Sequence, residues 1–246
     1  MNRPAWLKTI PVAHRGLHQV EKTGIPENSM AAFRAAIEKG YAIELDVCLS
    51  KDGEAMVFHD AKLDRLTGET GLAADKTAAE LKKLKLLGTQ ETPPSLKDVV
   101  EMVAGLTPLV IEVKNYSDEP VGPLEEAVAR ALASYKGPYA LQSFSPGVVD
   151  WIRRHMPDVA RGQIATLPSE MKSLSAAQQV ELAEALEAGT GEPDFIAYDV
   201  KHLPSPLTTR ARARGLPVLT WTVRSREVWE QAKAHADNLI FEHWQP

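Results

Sequence analysis

Short apolar runs alternate with longer stretches in which apolar residues recur every three or four positions, and the alternation continues to the last residues. These are the periods of strands and of amphipathic helices, so the chain reads as a βα repeat. Strand-like runs begin near positions 10, 42, 108, 139, 161, 195, 217 and 238, eight in all. Helical patterns fill 27–40, 122–135, 146–156, 169–188, 206–215 and 226–236. The first is expected to start at Asn28 or Ser29 and to stop at Gly40. The segment 61–107 departs from this rhythm. It follows a second extended piece, "EAMVFHD", and contains a Lys/Leu-rich helix expected near 77–87, a "TPPS" break, and a helix near 95–104 entered by Ser95.

Eight βα units without a linker predict one domain over 1–246, α/β in class. The architecture expected is a (β/α)8 TIM barrel with a small insertion, roughly 61–107, after the second strand. A doubly wound open sheet is the alternative, but the first turn, "HRGLHQ", lacks the Gly-rich pattern such folds use. Little chain follows the eighth strand, so the eighth helix is expected to be missing or very short. With 246 residues, 44% of them hydrophobic, a large core is within reach.

Charge narrows the partners. A net charge of −5 and a pI near 5.8 argue against nucleic acid and anionic membrane surfaces, so an anionic ligand would have to be held locally. The single cysteine, Cys48, can form no intrachain disulfide, and the start, "MNRPAWLKTIPVAHRG", has no apolar region of signal-peptide length. No apolar stretch approaches the roughly 20 residues that span a bilayer. The expectation is a cytoplasmic protein without a stable membrane anchor; its oligomeric state is left open.

The strand "AIELDV" carries two acids that break its apolar character. Strand side chains alternate, so Glu44 and Asp46 share one face while Ile43, Leu45 and Val47 share the other. In a barrel the acids then look inward, where two adjacent carboxylates require a cation, a metal or a shared proton. An acid paired with a core Arg or Lys is the alternative reading. "VIEVK" repeats the arrangement with Glu112 and Lys114, and a third carboxylate would complete an oxygen site suited to Mg²⁺ or Ca²⁺. Lys114 is either a charge for an anionic oxygen or a salt-bridge partner for one of the acids. His14 and Arg15 end the first strand and His59 ends "MVFHD", at the barrel face where catalytic groups collect. Gln142 and Phe144 are candidate pocket residues, and Trp221 either stacks on ligand or packs in the core. His18, His155, His202, His235 and His243 are expected at the surface, "RARARG" (210–215) on a solvated helix face, and "LKKLKLL" (81–87) on an amphipathic helix.

Taken in order, "AHRG", "PENSMAAFRAAIEKG", "IELDV", "DGEAMVFHD", "LDRLTG", "IEVK" and "WTV" resemble the motifs of the glycerophosphodiester phosphodiesterase family, over essentially the whole chain. The resemblance implies a (β/α)8 barrel with a small insertion after the second strand. It also implies metal-dependent hydrolysis of a small-molecule glycerophosphodiester to glycerol 3-phosphate and an alcohol. Carried over by position, Glu44, Asp46 and Glu112 would be metal ligands, His14 and His59 the catalytic general acid/base pair, and Arg15 and Lys114 the phosphate-binding cations. Two departures stand out: Ser29 follows "PEN" where Thr is common, and "FEHWQP" replaces a usual Thr-Asp-x-Pro ending. Glu242 then stands in for that acid, and the glycerol end of the substrate is expected to be held differently. A lysophospholipid-type phosphodiesterase, a metal-dependent sugar isomerase and a non-catalytic phosphate-binding barrel are the competing readings.

Overall fold

The computed structural model describes residues 3–116, 120–171 and 176–246. Its strands are β1 (Val12–Ala13), β2 (Ala42–Leu49), β3 (Ala55–Val57), β4 (Leu109–Val113) and β5 (Tyr139–Ser143), then β6 (Ala160–Ala165), β7 (Phe195–Asp199), β8 (Val218–Val223) and β9 (Asn238–Phe241). All but β3 are parallel and pair in the order β1-β2-β4-β5-β6-β7-β8-β9. Val12 pairs with Ala42 on one side and with Ile240 on the other, so the sheet closes into the expected eight-stranded (β/α)8 barrel. The short strand β3 runs antiparallel along the end of β2, as the "KDG" turn requires.

Alternation along each strand feeds two separate cores. Inward positions place Val12, Ala42, Val110, Ala140, Ala160, Ala197, Leu219 and Ile240 in the barrel. Outward positions such as Ile43, Leu45, Val47 and Ile111 pack with Phe33, Ala36, Val99 and Val128 of the surrounding helices. Both sets are fully or nearly fully buried, which is why neither strand face reads as polar. The N-terminal end of the barrel is plugged by a short helix, Trp6–Thr9, whose Leu7 is buried. The Asn238 side chain on β9 donates to Leu7 O (3.1 Å) and Ile10 O (2.7 Å), holding the plug against the barrel.

One open local expectation is resolved and two others change. The helix over 27–40 runs Met30–Glu38 and is capped by Ser29, whose hydroxyl accepts from the Ala32 N–H; Asn28 is committed elsewhere. The Lys/Leu-rich stretch 77–87 is not one amphipathic helix: a single turn, Ala78–Leu81, ends at Lys82, and Leu87 takes a left-handed backbone at φ 48°. The reason is packing, since Leu81 and Leu86 both enter a subsidiary cluster with Cys48, Met56, Phe58, Leu63, Leu66 and Ala73. A continuous helix could not face both leucines that way. Of the helix expected over 169–188, Ala176–Ala188 forms and Pro168–Glu170 is a 3-10 turn, while positions 172–175 lie outside the described residues. The Ser95-capped helix forms as Leu96–Val103, and residues 242–246 carry no helix. Arg210, Arg212 and Arg214 are exposed on the outer face. Among the described residues no helix is long and apolar enough to cross a membrane.

One inward position shows how tightly the barrel interior is filled. Gly162 on β6 lies beside Phe195 on β7, and a Cβ there would sit 2.2 Å from the phenyl ring. Gly162→Ala should therefore cost about 1–3 kcal/mol of stability by overpacking, read from urea unfolding, and Phe195→Leu in the same chain should recover part of the loss.

Candidate active site

The inward register that fills the barrel with alanine and valine at its lower levels delivers acids at its C-terminal mouth. Asp46 on β2 is paired in register with Glu112 on β4, and Glu44 sits one inward step below Asp46. All three carboxylates are buried, and one oxygen from each lies within 4.8 Å of the others. Lys114 compensates part of the charge, with Nζ donating to Glu112 Oε1 (2.5 Å) and lying 2.7 Å from Asp46 Oδ1. Burial alone would raise the Asp46 carboxyl, but Lys114, His59 and Arg15 outweigh it and hold Asp46 ionised. Glu44 has less support. Burial first, then repulsion from Asp46 and Glu112, pushes its carboxyl well above the usual range, against one backbone N–H from Arg15 (2.9 Å). Three converging carboxylate oxygens, with no Lys or Arg side chain in contact with Glu44 among the described residues, form a donor set that fits a hard divalent cation.

Arg15 is placed by an unusual turn. Its backbone is left-handed at φ 54°, followed by Gly16 at φ 77°, where any Cβ would meet Ala32 and Phe33 within 3 Å. Only glycine fits there, and the "HRG" order follows from it. The turn aims the Arg15 N–H at Glu44 while its guanidinium meets Asp46 (Nε to Oδ2, 3.3 Å) and Glu27 (Nη1 to Oε1, 2.5 Å). Asn28, also at positive φ, donates from Nδ2 to Asp46 Oδ2 at 2.8 Å.

Both candidate histidines are backed by a carboxylate. His14 Nδ1 lies 2.7 Å from Glu242 Oε2, and His59 Nδ1 lies 2.5 Å from Asp60 Oδ1. Although burial favours the neutral acids, the histidine contacts, aided by Arg224 at Glu242 and Arg65 at Asp60, hold both carboxyls below the usual carboxylate range. An ionised carboxylate only accepts, so each histidine donates from Nδ1 and turns Nε2 away from its partner. Burial pulls His14 down to about 4, despite the Glu242 bond, so the ring is neutral at pH 7 and its Nε2, 4.0 Å from Glu44 Oε2, is a free acceptor. Tyr116 O–H donates to His59 O at 2.6 Å. Arg65 then ties the two histidine loops together, reaching Asp60 from Nε (2.7 Å) and Glu27 from Nη1 (2.7 Å).

A cavity of about 260 Å³ opens between these groups, lined by His14, Arg15, Glu44, His59, Glu112 and Lys114. The expected pocket residues Gln142, Phe144 and Trp221 line it as well, with the Phe144 and Trp221 rings edge to face at 5.6 Å. Trp221 belongs to the core too, since its Nε1 donates to Ala197 O (3.1 Å). Asp46 does not line the cavity, and neither does Glu242, an expected pocket residue, which instead contacts His14 Nδ1. His18, expected at the surface, is instead largely buried: its side chain is 11% exposed, with Nε2 3.6 Å from Glu242 Oε2. The reason is that "HRGLH" curls back over the end of β9. The residues without an assigned role, Glu27, Asn28, Asp60 and Arg65, all lie in "PEN", "FHD" and "LDRLTG", stretches that carry the resemblance.

Comparison with known proteins agrees with this geometry. The Glycerophosphoryl diester phosphodiesterase family model matches residues 14–244. A glycerophosphodiester phosphodiesterase of Caldanaerobacter subterraneus is 30% identical over 247 residues, covering 95% of this chain and 94% of that protein. Among solved structures, an Oleispira antarctica phosphodiesterase in complex with the product sn-glycerol-3-phosphate superposes with a TM-score of 0.73 at 25% identity, covering 94% of this chain and 91% of the other. A glycerophosphodiester phosphodiesterase from Thermotoga maritima gives 0.71 at 25% identity, covering 94% of each chain.

The ion pairs around Glu27 have a pH signature. Burial would raise its carboxyl, but Arg65 and Arg15 bring it down to about 2. Its ionised form therefore stabilises the fold fully above about pH 4.5, and that contribution is lost as pH falls towards 2. Glu27→Gln should lower stability on the order of 2–3 kcal/mol at pH 7, with the difference from wild type shrinking through that window in denaturant titrations.

Proposed function

Because the chain belongs to the Glycerophosphoryl diester phosphodiesterase family, we propose that it hydrolyses glycerophosphodiesters to glycerol 3-phosphate and an alcohol. One observation carries this reading: two carboxylate-backed histidines, the cations Arg15 and Lys114, and Glu44 and Glu112 border a single small cavity, with Asp46 converging on those two carboxylates. Glu44, Asp46 and Glu112 would hold the divalent metal, Mg²⁺ or Ca²⁺. When bound, such an ion supplies charge neutralisation and polarisation at the phosphoryl group.

The side chains divide the remaining work. Arg15 and Lys114 hold the phosphodiester's non-bridging oxygens and offset the charge that builds up in the transition state. His14, neutral with its Nε2 lone pair towards the site, takes a proton from the nucleophile, either water or the neighbouring glycerol hydroxyl, whose cyclic phosphate water then opens; Glu242 keeps the ring in that tautomer. His59, held by Asp60, gives a proton to the departing alkoxide. Glu242 thus stands behind the base, which leaves Gln142, Phe144 and Trp221 to meet the glycerol or alcohol portion. This activity fits a cytoplasmic enzyme of lipid and glycerol metabolism.

His59→Ala should lower kcat by about 10²–10⁴ with an unchanged circular dichroism spectrum; a folded and fully active variant would sink the assignment. EDTA should abolish turnover, and Mg²⁺ or Ca²⁺ should restore it; indifference to chelator removes the metal role of the three carboxylates. Release of glycerol 3-phosphate from glycerophosphocholine, glycerophosphoethanolamine and glycerophosphoinositol, set against lysophospholipids, tests the substrate class.

A further inference from the structure

A second set of metal-binding atoms converges at the Nδ1 edge of His14, away from the carboxylate cluster. His14, His18 and Glu242 each offer one atom, all within 4.8 Å of one another. His243 stands at their edge, with Nε2 3.4 Å from Glu242 Oε1 and its ring 5.5 Å from that of His18. Strand pairing builds the cluster, because β1 and β9 run side by side and the two histidine-bearing loops leave them at the same end. His18 Nε2 is shut off from solvent and makes no hydrogen bond among the described residues. Arg224 Nε holds Glu242 Oε1 at 2.7 Å, which fixes the carboxylate and leaves Oε2 facing both His14 and His18.

We propose that His14, His18 and Glu242, with His243 as an accessory ligand, form a second metal site that takes a borderline transition cation of the Zn²⁺ type. The donor chemistry separates it from the first site. Imidazole nitrogens with one carboxylate suit Zn²⁺ or Co²⁺ and suit Mg²⁺ or Ca²⁺ poorly, whereas three carboxylates have the reverse preference. The spacing is also close to what is needed. Ligands about 2.0–2.1 Å from a tetrahedral ion stand roughly 3.3 Å apart. At Glu242 Oε2, His18 Nε2 stands 3.6 Å away and His14 Nδ1 2.7 Å, so the His14 contact must open, while His243 Nε2 lies 3.4 Å from the carboxylate's other oxygen, Oε1. His243, about half exposed, gives a path in from solvent.

Occupancy has a consequence for His14. A cation on Nδ1 forces the neutral ring's single proton from Nδ1 to Nε2, and the nitrogen facing Glu44 can no longer accept. The second site therefore switches the enzyme off; this consequence, unlike the binding, rests on the base role proposed above for His14.

The test starts from full-length protein stripped with chelator and dialysed against Zn²⁺ in excess Mg²⁺, with bound metal counted by elemental analysis in the absence of substrate. Wild type should retain one Zn²⁺ per chain alongside Mg²⁺, and Co²⁺ in its place should give the intense visible bands of a tetrahedral nitrogen-containing site. His18→Ala should weaken zinc binding about tenfold or more and lose those bands, while Mg²⁺-supported turnover stays at the wild-type level. Equal zinc affinity in the two proteins, or zinc held only where Mg²⁺ is displaced, overturns the site. Zinc retained by wild type and lost in His18→Ala, without inhibition of wild-type turnover, upholds the site and overturns the base role of His14.

Discussion

Three carboxylates confined at one end of a barrel make the demand that the rest of the molecule answers. Removing an ionised carboxylate from water costs several kcal/mol even after local relaxation, and here Asp46 is held ionised beside two further buried carboxyl groups, Glu44 and Glu112. Lys114 and Arg15 supply opposite charge, while Asn28 and the Arg15 N–H supply hydrogen bonds. Those compensations dictate backbone as well as side chains. Arg15 and Asn28 both stand at positive φ, and Gly16 is the residue that lets the first turn lie flat against the following helix.

The segment between β3 and β4 belongs to the same balance. Its small core of Leu63, Leu66, Leu81 and Leu86 brackets Arg65, and Arg65 joins Asp60 behind His59 to Glu27 beside Arg15. The two loops that carry His14 and His59 are thereby linked through charges rather than through the barrel alone. Removing any one member leaves another uncompensated, so their energies are expected to be coupled rather than additive. The irregular stretch is thus part of how the site is built.

Much of this is legible along the chain, and the legible part has one origin. A strand buried on both faces still alternates, so Glu44, Asp46 and Glu112 were bound to share the barrel interior once their strands were recognised. What escaped has a different origin. Ser29 and Asn28 are equally good helix caps by type, and the choice between them was made by Asp46, distant in sequence. The leucines of 81–87 carry a helical period, yet a subsidiary core drew them into a turn. His18 and Glu242 are 224 positions apart along the sequence, and only the closure of β9 against β1 brings them together.

By itself, then, the sequence determined the eight-stranded βα rhythm, the inward placement of the acids, and the strand-end positions of His14 and His59. Each of these rests on periodicity, which is a property of neighbouring residues. Tertiary structure alone decided that Glu242 stands behind His14 and that His18 turns inward beside it. These are contacts between opposite ends of the chain, and no local propensity encodes them. They exist because the last strand closes the barrel against the first.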